Sequence, residues 1–99
     1  MPIIKFEKES LEDVIPLTGS CIVDYYAGWC GPCKTVTPVL ERIGVSDDIT
    51  VIKVDVDKYP QLATSAAVAS IPTLDIYKDG VKSNTLKGAQ PEHVIRAAL

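Results

Sequence analysis

Hydrophobic and polar positions along the chain change rhythm several times, and each change predicts an element. "IIKF", residues 3–6, is a short extended start. Ser10 and Asp13 have the spacing of a capping box ahead of Leu11, Val14 and Ile15, which predicts a short helix. "CIVDYY", residues 21–26, is almost continuous in β-forming residues and predicts a strand buried on both faces, interrupted by one acidic residue, Asp24. Val36, Val39, Leu40 and Ile43 then fall at the i, i+3, i+4, i+7 spacing of an amphipathic helix, kinked by Pro38 and closed by Gly44. "TVIKVDVD", residues 50–57, predicts a second strong strand, and "PQLATSAAVA", residues 60–69, a helix starting at Pro60. "PTLDIYK", the turn Asp79-Gly80 and "VKSNTL" predict a hairpin over residues 72–86. Pro91 opens a terminal helix whose apolar residues are Val94, Ile95, Ala98 and Leu99. The order β α β α β α β β α is that of an α/β protein with a central mixed sheet flanked by helices on both faces.

Composition narrows the function. Ninety-nine residues, 46% of them hydrophobic, make one domain over residues 1–99 with a core of its own. The net charge is -3 and the basic residues are scattered, which gives no electrostatic footprint for nucleic acid or an anionic membrane. "MPIIKFEKES" mixes Lys5, Glu7, Lys8 and Glu9 into the first ten residues, unlike an export signal, and no apolar run approaches the roughly 18 to 20 residues of a membrane-spanning helix. A soluble, cytoplasmic protein is expected. The cysteines number three, two of them three apart, which does not match a secreted disulfide scaffold and points to chemistry or metal in a reducing compartment.

Those two thiols lie in "AGWCGPCK", residues 27–34, where the strand hands over to the helix. Unpaired N–H groups at a helix N-terminus carry roughly half a positive charge, which favours a thiolate on Cys30. Residues three apart on a regular helix hold their Cβ atoms about 5 to 6 Å apart, too far for a disulfide, so Cys30 must sit just outside the helix. Gly31 then lets the backbone turn, Pro32 is preset for the first helical turn, and Cys33 is shielded behind an exposed Cys30. The competing reading is a zinc site. It needs two further ligands, and Cys21 and His93 form no second closely spaced pair. Asp24 also has two readings from pattern alone: a buried carboxyl with a raised pKa, or a carboxylate facing solvent on a half-exposed strand.

"WCGPCK", with "VDYYA" before it, "VDVDKYP" in the middle, "IPTL" and "YKDG" later and "KGA" near the end, resembles the thioredoxin family, in order and over essentially the whole chain. The resemblance implies the thioredoxin fold and protein-disulfide reduction, with no cofactor beyond a redox-active Cys30–Cys33 disulfide and no metal. It implies that Cys30 attacks a substrate disulfide, Cys33 resolves the mixed disulfide, and Asp24 exchanges a proton with Cys33, with Lys53 near that aspartate. Trp29, Gly31, Pro32, Ile71, a cis Pro72 and Gly88 would form the substrate-docking surface. The partners implied are a thioredoxin reductase and disulfide-containing proteins, met by a monomer.

Some residues depart from the family pattern. Tyr26 stands where tryptophan is frequent, Ser70 replaces a frequent glycine, which would narrow substrate access, and "ERIGVSDD" is short, which would end the helix early. Cys21 is extra and reads as a buried structural thiol. An oxidase or isomerase would use the same pair in the opposite direction; the Gly-Pro dipeptide and the absence of an export signal count against it. A binding module with incidental thiols is disfavoured by the presence of Trp29, Asp24 and Pro72 together with both cysteines.

Overall fold

The computed structural model describes residues 3–7 and 10–99. Among them, five strands and four helices follow the order expected from the pattern: β1 (Ile3–Lys5), α1 (Leu11–Val14), β2 (Ser20–Tyr26), α2 (Gly31–Asp47), β3 (Thr50–Asp55), α3 (Pro60–Ser65), β4 (Thr73–Lys78), β5 (Val81–Lys87) and α4 (Glu92–Ala97). The strands form one sheet in the order β1-β3-β2-β4-β5. β1 and β2 run parallel to β3, while β4 is antiparallel to both β2 and β5, so the sheet is mixed.

Side chains alternate across a strand, so β2 serves two cores. Ile22 faces α2 and α4, packing with Val36, Leu40, Ile43, Val51, Leu74, Ile76 and Ile95. Cys21, Val23 and Tyr25 face the other way, toward Phe6, Ile15, Ile52 and Val54, with Leu11 of α1 and Leu62 of α3 against them. Both faces of the central strands are therefore covered, which explains the unbroken run of β-formers. Each fully buried Leu or Ile contributes roughly 1.5 to 3 kcal/mol over an exposed one. The β4–β5 hairpin turns at Asp79 and Gly80, both with positive φ (51° and 82°), as a tight two-residue turn of this hand requires. Cys21 is completely buried and unpaired, and burial pushes its thiol up to about 12.

Local details differ from the sequence expectations at several points. Gly44 does not close α2: it is buried, and the helix continues to Asp47. The stop is made by Asp48, in the left-handed conformation (φ 53°, ψ 48°), which a short polar side chain tolerates. The short "ERIGVSDD" segment therefore does not end the helix early. Ser10 stands at the N-cap of α1, but its side chain makes no capping bond; Asp13 N–H donates instead to the Ser10 carbonyl at 3.0 Å. α3 ends at Ser65 and not near residue 69, because Ala67 adopts a left-handed φ of 57° that no helix accommodates. β3 ends at Asp55, two residues sooner than the run of valines and aspartates suggests.

Candidate active site

Topology gathers the chemistry at one end of the sheet. β2 and β3 are parallel, so their C-terminal ends, leading to Trp29–Cys30 and to Val56–Asp57, emerge side by side. β4 is antiparallel to β2, so its start, preceded by Ile71 and Pro72, lies at that same end, as does the end of β5 at Lys87 and Gly88. A crevice beyond the carboxyl ends of parallel strands is where α/β sheets generally bind ligands.

Cys30 is the N-cap of α2, with extended φ and ψ of -86° and 110°. Its Sγ accepts a hydrogen bond from the Cys33 N–H at 3.2 Å, one of the donors that the start of a helix leaves unpaired. Cys30 and Cys33 are joined in a disulfide with Cα atoms 5.3 Å apart, a separation such a bond accommodates. Placing Cys30 outside the helix is thus what lets the ring close. Gly31 is not the turning point expected of it. It is the first residue of α2, its φ is not left-handed, and a side chain there would meet no atom within 4 Å. The break is made by Cys30 itself, and Gly31 leaves the surface beside the sulfurs open. Pro32 lies in the first turn, where its missing N–H has no helical partner to lose.

Exposure does not separate the two sulfurs. Cys30 is 4% exposed and Cys33 3%, because the closed ring packs against Ala27, Tyr26, Val56 and Ile71. The expected contrast between an exposed Cys30 and a shielded Cys33 is therefore absent from the disulfide form. What separates them is position: Cys30 receives the helix N–H, and Cys33 lies within the turn.

Asp24 is 1% exposed, in register with Lys53 on β3 and Leu74 on β4. Burial pushes its carboxyl up to about 6, opposed by the Lys53 ammonium, whose Nζ lies 3.9 Å from Oδ2. Of the two readings open from the sequence, the buried carboxyl is the one found. Lys53 lies on the interior strand β3, and its Nζ also donates to Thr37 Oγ1 at 2.9 Å and sits 4.4 Å from the Tyr26 ring centroid.

Around the disulfide the surface is apolar. Trp29 is 69% exposed, and its Nε1 donates to Asp57 Oδ2 at 2.7 Å. It lines, with Val56, Ala63, Val68, Ser70 and Ile71, a groove of about 420 Å³. The Ile71-Pro72 bond is cis. Gly88, at a φ of 85°, donates its N–H to the Pro72 carbonyl at 2.9 Å, tying the end of β5 to the segment before β4. Of the residues expected on the docking surface, Trp29 and Ile71 line this groove, and Gly31, Pro32, Pro72 and Gly88 are not among its lining residues. Among the described residues, no cluster of three or more His, Cys, Asp or Glu is arranged to hold a metal ion.

Sequence reasoning misses Asp57 and Thr37. Asp57 follows β3 in "VDVD" and is absorbed there into the predicted strand; its signal is that parallel strands ending together set it beside Trp29. Thr37 is a polar residue on a half-polar helix and carries no signal in the sequence.

The thioredoxin family model matches residues 2–99. Thioredoxin 1 of Synechococcus elongatus is 42% identical over 96 residues, which cover 95% of this chain and 86% of that one. The thioredoxin of Mycobacterium tuberculosis is 46% identical over 80 residues, covering 79% of this chain and 69% of that one. Among solved structures, a point mutant of thioredoxin from Halobacterium salinarum NRC-1 is 34% identical with a TM-score of 0.84, covering 96% of this chain and 83% of that one. With the fold, the Cys30–Cys33 disulfide at the start of α2 and these relatives in agreement, the chain belongs to the thioredoxin family of protein-disulfide oxidoreductases.

Proposed function

We propose that residues 1–99 act as a single domain and a cytoplasmic monomer that reduces disulfides in other proteins and is recharged by a thioredoxin reductase. Cys30, as thiolate, attacks one sulfur of the substrate disulfide; a Cys30–substrate disulfide forms and the first substrate thiolate leaves. Cys33 then gives up its proton and attacks Cys30 Sγ. The Cys30–Cys33 bond forms, the second substrate thiolate leaves, and two electrons have passed to the substrate. Two electrons from the reductase restore the dithiol.

The observation that carries this reading is the hydrogen bond from Cys33 N–H to Cys30 Sγ at the N-cap of α2, because that same donor stabilises negative charge on the sulfur once the ring opens. Asp24 takes the Cys33 proton, supported by its burial and by a carboxyl pushed up to about 6, near the operating pH of a general base. Lys53 holds the charge on Asp24. Trp29, Gly31, Pro32, Ile71, Pro72 and Gly88 make the docking surface: Trp29 and Ile71 offer an apolar wall, and Gly31 leaves room for the substrate backbone. No metal takes part in these steps, and among the described residues no helix is long and apolar enough to cross a membrane.

A reductase-coupled assay with insulin as the protein disulfide tests this directly. Trp29→Ala should raise KM roughly tenfold, the loss expected when one large apolar contact is removed, and leave reduction of a small aromatic disulfide within about twofold. Equal losses on both substrates would remove Trp29 from the docking surface. No turnover of insulin by the unaltered protein would refute the function.

A further inference from the structure

Lys53 is a lysine with three attachments, and their distances are unequal. Its Nζ donates to Thr37 Oγ1 at 2.9 Å, lies over the Tyr26 ring at 4.4 Å, and stops 3.9 Å from Asp24 Oδ2, beyond hydrogen-bond reach. An ammonium has donors only, so Thr37 must accept from it. The Thr37 hydroxyl proton is accordingly free to be given elsewhere, and it goes to the Cys33 carbonyl at 3.2 Å. The direction of both bonds is fixed by chemistry: Lys53 to Thr37 to the backbone of Cys33. Neither oxygen of the Asp24 carboxyl accepts a hydrogen bond from any described residue. The strongest donor near that carboxyl is thus bound to a neutral hydroxyl and stops short of hydrogen-bonding distance to it.

We propose that Thr37 is a positioning residue that restrains Lys53 from closing onto Asp24, and so keeps the ammonium from hydrogen-bonding the carboxyl directly. A lysine hydrogen-bonded to a carboxylate favours the ionised form, and an opposite charge within about 4 to 6 Å lowers a carboxyl by roughly one to three pH units. Lys53 at 3.9 Å already supplies part of that attraction; a direct bond would add the rest. With Thr37 as the competing acceptor, burial wins and the carboxyl stays high. Without it, the ammonium keeps the face of Tyr26 and finds its next acceptor in Asp24.

Tyr26 is on the same strand as Asp24, and Asp55, in register with Tyr26, follows Lys53 by two residues on β3. Lys5 on β1 is in register with Lys53. β4 presents Leu74 to Asp24, and the start of α2 carries the Cys30 and Cys33 sulfurs. In the disulfide form neither sulfur titrates, which leaves Asp24 to be followed alone.

The proposal rests on the reading of Asp24 as proton acceptor for its consequence in turnover, but its test does not. In the oxidised full chain labelled with carbon-13, the Asp24 carboxyl resonance, identified by its loss in Asp24→Asn, is titrated in the unaltered protein and in Thr37→Val, Thr37→Ala and Thr37→Ser. Valine keeps the β-branched shape and removes the hydroxyl. Thr37→Val and Thr37→Ala should half-protonate at a pH lower by about one unit than the unaltered protein, and Thr37→Ser should match it. An unchanged or higher midpoint in both Val and Ala variants overturns the proposal, as does a Ser variant that falls with them. The pH profile of mixed-disulfide resolution separates the two readings: a lowered titration with an unmoved profile keeps Thr37 as the restraint and removes Asp24 as the acceptor.

Discussion

Cys33→Ser should retain its first chemical step and lose the second. Cys30 still sits at the N-cap of α2 with the residue-33 N–H beside its sulfur, and that N–H belongs to the backbone, which the substitution keeps. The variant therefore attacks substrate disulfides and stops at the mixed disulfide, since a serine hydroxyl cannot displace the bound substrate. Covalent complexes sensitive to dithiothreitol should accumulate, and multiple-turnover reduction of insulin should fall by about 1,000-fold or more. Cys30→Ser should lose turnover equally and trap almost nothing, because Cys33 is inside the helical turn and the N-cap position that receives the helix N–H belongs to Cys30. Non-reducing gels of both variants after incubation with a cytosolic extract, made in a Cys21→Ser background, check this. Comparable trapping by both variants would reverse or erase the assignment of roles; no trapping by either would favour a binding module.

Asp24→Asn should make the protein more stable and slower. An Asp raised from its ordinary value of 3.8 to about 6 on folding binds more protons folded than unfolded across that interval. Its contribution is fully present below pH about 4 and is lost as pH rises through about 6; two pH units correspond to about 3 kcal/mol. Asn has no such dependence. Part of the gain is offset, because the amide sits where the carboxyl has no hydrogen-bond partner among the described residues and Lys53 loses a counter-charge. At pH 8 the variant should be more stable by about 2 kcal/mol, and near pH 4 the advantage should vanish. Removing the base should slow mixed-disulfide resolution by about 100-fold above neutral pH. Denaturation midpoints from roughly pH 4 to 8 and single-turnover rates from roughly pH 6 to 9 test the two halves. Parallel stability curves for the two proteins would place the carboxyl in water, and equal resolution rates would make it a bystander.

The two effects share an origin that the sequence displays. An acidic residue inside "CIVDYY" is a conflict between pattern and polarity, and such conflicts concentrate at functional sites. The same holds for two cysteines across a strand-to-helix junction. Element types are legible because period 2 and period 3.6 both run cleanly through the buried residues: Ile22 and Val23 to opposite cores, Val36, Leu40 and Ile43 to one. Element ends are less so, and for a physical reason. Gly44 reads as a helix stop, but here it is a buried residue inside α2. Asp48 ends the helix through a left-handed φ that an aspartate permits without announcing.

Contacts between elements are the least legible part. Trp29 meets Asp57 across 28 positions and Lys53 meets Thr37 across 16, pairings that depend on strand order and the packing of α2 over β3. The relative exposure of the sulfurs is not readable from their spacing, because in the disulfide form both cysteines pack with Ala27, Val56 and Ile71. The chemical asymmetry survives that correction, since it rests on the end of a helix.

That asymmetry is measured most directly in the fully reduced protein, by timed alkylation with iodoacetamide over a range of pH and mass-spectrometric scoring of Cys30 and Cys33 separately. Cys21, completely buried, serves as the internal thiol that stays unmodified. If the N-terminus of α2 selects the attacking sulfur, Cys30 should be alkylated first at every pH, with its advantage over Cys33 at least about tenfold near neutrality. Alkylation of Cys33 at the same rate or faster would contradict the assignment of Cys30 as nucleophile.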